Sequence, residues 1–193
     1  MEFFIYHIDK AKECFGEDLS IFHPKQISIW AKQFLINIIK QKGLTFNTAI
    51  ECTIEGKPFF SFNPNFHFSI SHTKEFIAIA ISDKEIGIDI EQERKYKKEL
   101  VERFFHLKEA EYLNSLSNPK EQNQAFTKIW TLKESYVKCT GKGISNMFQA
   151  FYITIHDNEP QIHNNEIPVK IQFLFDKENQ LYISISEQYS SIK

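Results

Sequence analysis

A chain of 193 residues that is 42% hydrophobic and 15% aromatic, with nineteen Phe, has ample side-chain volume for a buried core in one domain or two small ones. A net charge of −2 gives no global field for nucleic acid, the aromatics do not interleave with a basic stripe, and no apolar run is long enough to cross a bilayer. Cys14, Cys52 and Cys139 show no C-x-x-C spacing, against a zinc ribbon or a disulfide framework, and Met1-Glu2-Phe3 opens without a basic leader, so a cytoplasmic protein with reduced thiols is expected.

Phe3 to Ile8 reads as a strand, and His23-Pro24 introduces an amphipathic helix running to about Lys42 and closed by Gly43. Strands are predicted at Ala49–Ile54, Phe66–Ser71, Phe76–Ile81 and Glu85–Glu91, the last three joined tightly enough for an antiparallel meander. Two helices follow Arg94, Leu100–Leu116 and Lys120–Thr140, separated by Asn118-Pro119. Further strands are predicted at Phe148–Ile155, Val169–Phe175 and Leu181–Ser186. No tandem repeat is visible, yet the order of elements recurs. The expected fold is α+β, with two pseudo-duplicated halves, residues 1–88 and 89–193, each a helical part packed on about three antiparallel strands.

The most informative residues are acidic. In Ile86-Gly87-Ile88-Asp89-Ile90-Glu91 the isoleucines take one face of a strand and Gly87, Asp89 and Glu91 the other. Two carboxylates about 6.6 Å apart along a strand repel by roughly 2.5 kcal/mol at an effective dielectric near 20, so the pair is read either as a cation site or as an ordinary solvated Asp-x-Glu. An all-oxygen set, joined by Glu134 of Trp130-Thr131-Leu132-Lys133-Glu134-Ser135-Tyr136-Val137-Lys138, suits Mg2+ better than zinc. Glu134 and Lys138 are i and i+4 on a helix. Taken alone they make an ordinary surface pair, contributing about 0.2–0.5 kcal/mol. Arg94, Lys95, Lys97, Lys98 and Arg103 form a basic run, read either as a solvated face or as a docking patch for an acidic partner.

Together the G-I-D-I-E run and the later W-x-x-K-E-S-x-x-K resemble the signature pair of the 4'-phosphopantetheinyl transferases. Gly56-Lys57-Pro58-Phe59, Phe68-Ser69-Ile70-Ser71-His72-Thr73, and Phe104-Phe105 followed by Glu109 stand in the family's order, so the resemblance runs from Gly56 to Gly143. In the short, trimeric acyl-carrier-protein-synthase branch the G-x-D motif lies close to the chain start. Here it lies at residue 87, so the chain looks like the double-length branch, similar to the enzymes that activate surfactin-type synthetases. In that branch two halves of a monomer build one site at their junction.

The resemblance implies transfer of 4'-phosphopantetheine from coenzyme A to a serine of an apo acyl or peptidyl carrier protein, with Mg2+ and release of 3',5'-ADP. It implies Asp89, Glu91 and Glu134 as metal ligands and Lys138 as a further positive charge. Lys57, Ser71 and His72 would contact phosphates of coenzyme A, Lys142 either approaches the diphosphate or only decorates its loop, and Gly87 would leave room for the diphosphate. Glu109 is the family-matched proton acceptor, with neighbouring Glu111 a source of confusion and Glu91 or water at the ion as alternatives. Lys133 falls near the apolar stripe of its helix, which points to an internal salt bridge. Lys25 and Lys32 are candidates for nucleotide contacts. The rival readings are a Mg2+-dependent diphosphate hydrolase and a non-catalytic carrier-protein-binding module. Neither a nucleic-acid nor a membrane partner is expected.

Overall fold

The segment Phe76–Ser82 is buried along its whole length because both of its faces and both of its edges are covered. The computed structural model describes residues 1–15, 24–143, 148–157 and 159–189. Their elements run β1 (Glu2–His7), α1 (Ile8–Phe15), α2 (Pro24–Gln41), β2 (Ile50–Cys52), β3 (Pro58–Phe60), β4 (His67–His72), β5 (Phe76–Ser82) and β6 (Ile86–Gln92). They continue with α3 (Lys98–Phe104), α4 (Leu107–Ser115), α5 (Pro119–Thr140), β7 (Tyr152–His156), β8 (Glu159–His163), β9 (Val169–Asp176) and β10 (Leu181–Gln188). The fold is α+β with antiparallel sheets.

Strand β5 sits between β1 and β4. Ile77, Ile79 and Ile81 point from it onto α2, where Trp30, Phe34 and Leu35 are buried. On its other face Phe76, Ala78 and Ala80 meet the isoleucines of β6 together with Leu181, Ile183 and Ile185 of β10. The alternating patterns of three strands thus close into an apolar layer between two sheets. The second sheet has the order β6-β10-β9 and carries α5 on its far side. Each three-stranded sheet therefore has one long helix against its outer face.

The expected meander does not form. With β1 and β4 already on its two edges, β5 has none left for β6, which pairs instead with β10 in the register Ile88↔Ile185 and Ile90↔Ile183. Side-chain hydroxyls join the two sheets where β4 and β6 adjoin. Ser69 Oγ accepts from the Ile88 N–H at 3.0 Å and Ser71 Oγ from the Ile90 N–H at 3.3 Å, so side chains of β4 satisfy two N–H groups of the edge strand β6.

The helix predicted over Leu100–Leu116 is two helices, α3 and α4, because His106 breaks it. Its side chain accepts from the Lys108 N–H while Glu109 Oε2 accepts from the His106 N–H, a capping box with histidine in place of the usual hydroxyl residue. Helix α1 and strands β3 and β8 were not expected; they are short, and β3 and β8 each contain a proline. His23 lies outside the described residues.

Helix α5 presses directly on β6 at Gly87. A Cβ there would stand 2.0 Å from the Ser135 carbonyl oxygen and 2.4 Å from the Cys139 nitrogen, both backbone atoms. Next to this contact the buried Cys139 thiol donates to the Glu85 carbonyl at 3.2 Å, and burial pushes its pKa up to about 12. Glycine is therefore needed at position 87 for helix packing, and room for a diphosphate is not the reason. Gly87→Ala should lower stability by about 3 kcal/mol or more, measured by urea denaturation. A variant as stable as the parent would show that the contact can relax freely.

Candidate active site

With α5 seated on β6, the polar face of the strand is turned toward the helix. Asp89 is buried. Its Oδ1 accepts from Lys138 Nζ at 2.6 Å and from Ser71 Oγ at 2.7 Å, and Lys138 also donates to Ser71 at 3.0 Å. Three elements, β4, β6 and α5, thus meet at one carboxylate oxygen. The other oxygen, Asp89 Oδ2, is buried and has no hydrogen-bond partner among the described residues.

Glu91, two residues along the strand, accepts from Arg94 Nη1 at 2.7 Å, and the guanidinium lies 4.3 Å from the centroid of the Trp130 ring. The Arg94 N–H donates to Thr127 Oγ1, fastening the end of the strand to α5. Glu134 projects into the same space, one helical turn before Lys138. Burial, then Asp89 and Glu91, push its pKa up to about 7 against the opposing pull of Lys138 and Arg94. Glu91 is raised as well, by burial and by Asp89. His72, at the rim, is held below its ordinary value by desolvation and by Lys138.

Three carboxylates thus face Lys138 and Arg94, and with its pKa raised to about 7 the Glu134 carboxyl is only partly ionised near neutral pH. A divalent cation suits this donor set, because Asp89 Oδ2 has a free acceptor position among the described residues and an ion would favour the ionised form of Glu134, whose pKa burial raises. Among the described residues, no three Asp, Glu, His or Cys groups are gathered around a single ion position in this geometry. Lys138 and Arg94 hold Asp89 and Glu91 instead.

The carboxylates line a cleft of about 280 Å³ with Ser71, His72 and Trp130. A second lobe of about 310 Å³ contains Gly56, Lys57, Gly141 and Gly143 and shares Ile70, Glu134 and Lys138 with the first. Lys57 is engaged there. Its ammonium pairs with Glu85 and donates to the Cys139 carbonyl at 2.6 Å, capping the C-terminal end of α5. His67 and Lys57 together pull the Glu85 pKa down to about 2.

The structure does not bring two expected residues to the cleft. Lys142 pairs with Glu166 and lines neither lobe. Glu109 lies in the C-terminal core as the buried partner of Lys133, whose Nζ stands 2.8 Å from Oε2 and 3.1 Å from Oε1. Its oxygens also accept from the Ile153 and His106 N–H groups, so no lone pair faces a substrate. Burial holds the Lys133 pKa down, to about 8, and raises that of Glu109. The internal salt bridge expected for Lys133 is therefore present, and the carboxylate read as a proton acceptor is its counterion. Lys32 is exposed on α2 away from both lobes, and the Lys25 side chain lies outside the described residues. Arg94 was read only as part of a basic surface run, but it turns inward to Glu91.

Residues 85–189, more than half of the chain, match the family described as the 4'-phosphopantetheinyl transferase superfamily. The chain belongs to this superfamily. The matched span holds Asp89, Glu91, Glu134 and Lys138, while Lys57, Ser71 and His72 precede it. Similar proteins include the 4'-phosphopantetheinyl transferase gsp of Aneurinibacillus migulanus, 38% identical over 60% of this chain and 48% of that protein. The transferase psf-1 of Bacillus pumilus is 35% identical over 61% and 51%, and Sfp of Bacillus subtilis (strain 168) is 36% identical over 53% and 46%. The chain spans about half the length of these relatives.

Glu134 titrates near 4.5 when solvated and near 7 in the fold. A carboxyl group whose folded pKa is raised contributes stability that is whole below the unfolded value and is lost as pH rises through the folded one. In chelator, the melting temperature should therefore fall between pH 5 and pH 7.5, and Glu134→Gln should flatten that fall. An unchanged slope in Glu134→Gln would show that the carboxylate is already ionised throughout.

Proposed function

We propose that the protein transfers 4'-phosphopantetheine from coenzyme A to a serine hydroxyl of an apo acyl or peptidyl carrier protein, releasing 3',5'-ADP. The reading rests on one observation: in a chain of this superfamily, Asp89 and Glu91 from β6, Glu134 and Lys138 from α5, and Ser71 and His72 from β4 converge on a single cleft. The serine oxygen forms a bond to the β-phosphorus of coenzyme A, the bond from that phosphorus to the bridging oxygen breaks, and the hydroxyl proton leaves. Positioning and charge neutralisation dominate such a step.

Asp89, Glu91 and Glu134 would hold Mg2+, which supplies positive charge to the diphosphate. Lys138 adds a second positive charge from the helix side, and Ser71 and His72 bind phosphate oxygens at the rim. Glu91, half-buried in the cleft, is the carboxylate suited to receive the serine proton, since Glu109 is sequestered. Lys57 meets the 3'-phosphate in the second lobe, exchanging Glu85 for it. The two halves, residues 1–88 and 89–193, form one site in a cytoplasmic monomer, and Lys95, Lys97, Lys98 and Arg103 present positive charge to an acidic carrier protein.

The test is mass measurement of apo carrier proteins after incubation with coenzyme A and Mg2+. A gain equal to phosphopantetheine supports the reading, and release of products to water without carrier modification overturns it. Asp89→Ala and Glu134→Ala should each reduce transfer by orders of magnitude in a folded protein, and full activity in either would remove the metal assignment. Lys57→Ala should weaken binding of coenzyme A by about 1.5–3 kcal/mol, and calorimetry should show a much smaller effect on dephospho-coenzyme A. Equal losses on both would place the 3'-phosphate elsewhere.

A further inference from the structure

Seven consecutive residues of α5, Thr131 to Val137, are all buried, none more than 6% exposed. A helix ordinarily takes its rotation about its own axis from an apolar stripe facing the core and a polar stripe facing water. This stretch has no water-facing side, so the hydrophobic effect alone leaves its rotation poorly defined. Glu134 stands at its centre, where a change of azimuth would swing the carboxylate out of the cleft.

The residues on either side of Glu134 make directional contacts with two different walls. Lys133 donates to both oxygens of Glu109 and to the Phe151 carbonyl at 2.9 Å, which ties α5 to α4 and to the segment leading into β7. Ser135 meets Ser184 Oγ at 2.8 Å and Ser186 Oγ at 3.0 Å on β10. Successive side chains on a helix diverge by about 100°, so anchors at 133 and 135 leave residue 134 a single direction. Gly87 sets how closely the helix approaches the sheet, and these two anchors set how it is turned.

We propose that Lys133 with Glu109, and Ser135 with Ser184 and Ser186, are positioning groups for Glu134, fixing the helix rotation that aims its carboxylate at Asp89. This goes beyond the proposed function but rests on its assignment of Glu134 as a metal ligand. A buried ion pair is a weak source of net stability, since apolar or neutral groups of similar volume often replace it at no cost, whereas its geometry can select one arrangement among several. The same division is expected here: stability is largely indifferent to the pair, and metal affinity depends on it.

Binding of Mn2+ in the presence of coenzyme A, followed by electron paramagnetic resonance, separates these roles. Lys133→Met with Glu109→Gln keeps the volume and retains an acceptor for the Ile153 N–H. This double variant should melt close to the parent yet bind Mn2+ about 10–100-fold more weakly, the range seen when groups supporting a metal ligand are removed. Ser135→Ala, a smaller change that tests the second wall should the double variant not fold, should weaken Mn2+ in the same direction. Transfer by either variant should recover at high Mg2+, so that the metal requirement shifts more than the maximal rate. Parent-like Mn2+ affinity in these variants, with Glu134→Gln impaired, would overturn the positioning role. Parent-like affinity in Glu134→Gln, or no binding by the parent, would overturn the ligand assignment and the inference with it.

Discussion

Helix α5 can lie against β6 only because residue 87 lacks a side chain, and the cleft depends on that approach. The helix backbone occupies the space that a Cβ would fill, which brings Lys138 within hydrogen-bonding reach of Asp89 and leaves Glu134 inside the cleft. A bulkier residue at position 87 would push the helix outward and part α5 from β6 at the level of the carboxylates. The glycine of the acidic motif and the acidic residues themselves therefore answer to one geometric demand.

Around that contact the protein keeps an unfavourable concentration of negative charge. Lys138 offsets it at Asp89 and Arg94 at Glu91, while burial and the crowding raise the Glu134 pKa to about 7. Placing carboxylates in a water-poor cleft costs stability, and such an arrangement is characteristic of a site tuned for a charged ligand. The buried Lys133–Glu109 pair nearby is of another kind, since its two charges meet each other and the backbone and leave nothing for a ligand.

Much of this was legible in the sequence. The alternation of Ile86, Ile88 and Ile90 against Gly87, Asp89 and Glu91 specifies a strand with one apolar face, and the long helices at 24–41 and 119–140 announce themselves by their spacing. The partner of β6 was not legible, because it depends on β1 having taken the free edge of β5, a fact about tertiary order that no local pattern carries. Glu109 had the residue type of a proton acceptor, but whether a carboxylate faces a cleft or a lysine is decided by burial. Arg94 looked like one member of a basic run, and only the Trp130 ring and Glu91 show why it turns inward. The break between α3 and α4 escaped notice because histidine is an uncommon N-cap.

The thiol of Cys139 gives this packing an experimental handle. Cys14 and Cys52 are exposed, whereas Cys139 lies under the contact between α5 and β6 with its proton firmly held. Thiolate is the reactive form, so a modifying reagent attacks Cys139 only during excursions that lift the helix from the strand. The rate of that slow modification under native conditions reports how often the cleft comes apart locally, separately from unfolding of the whole chain.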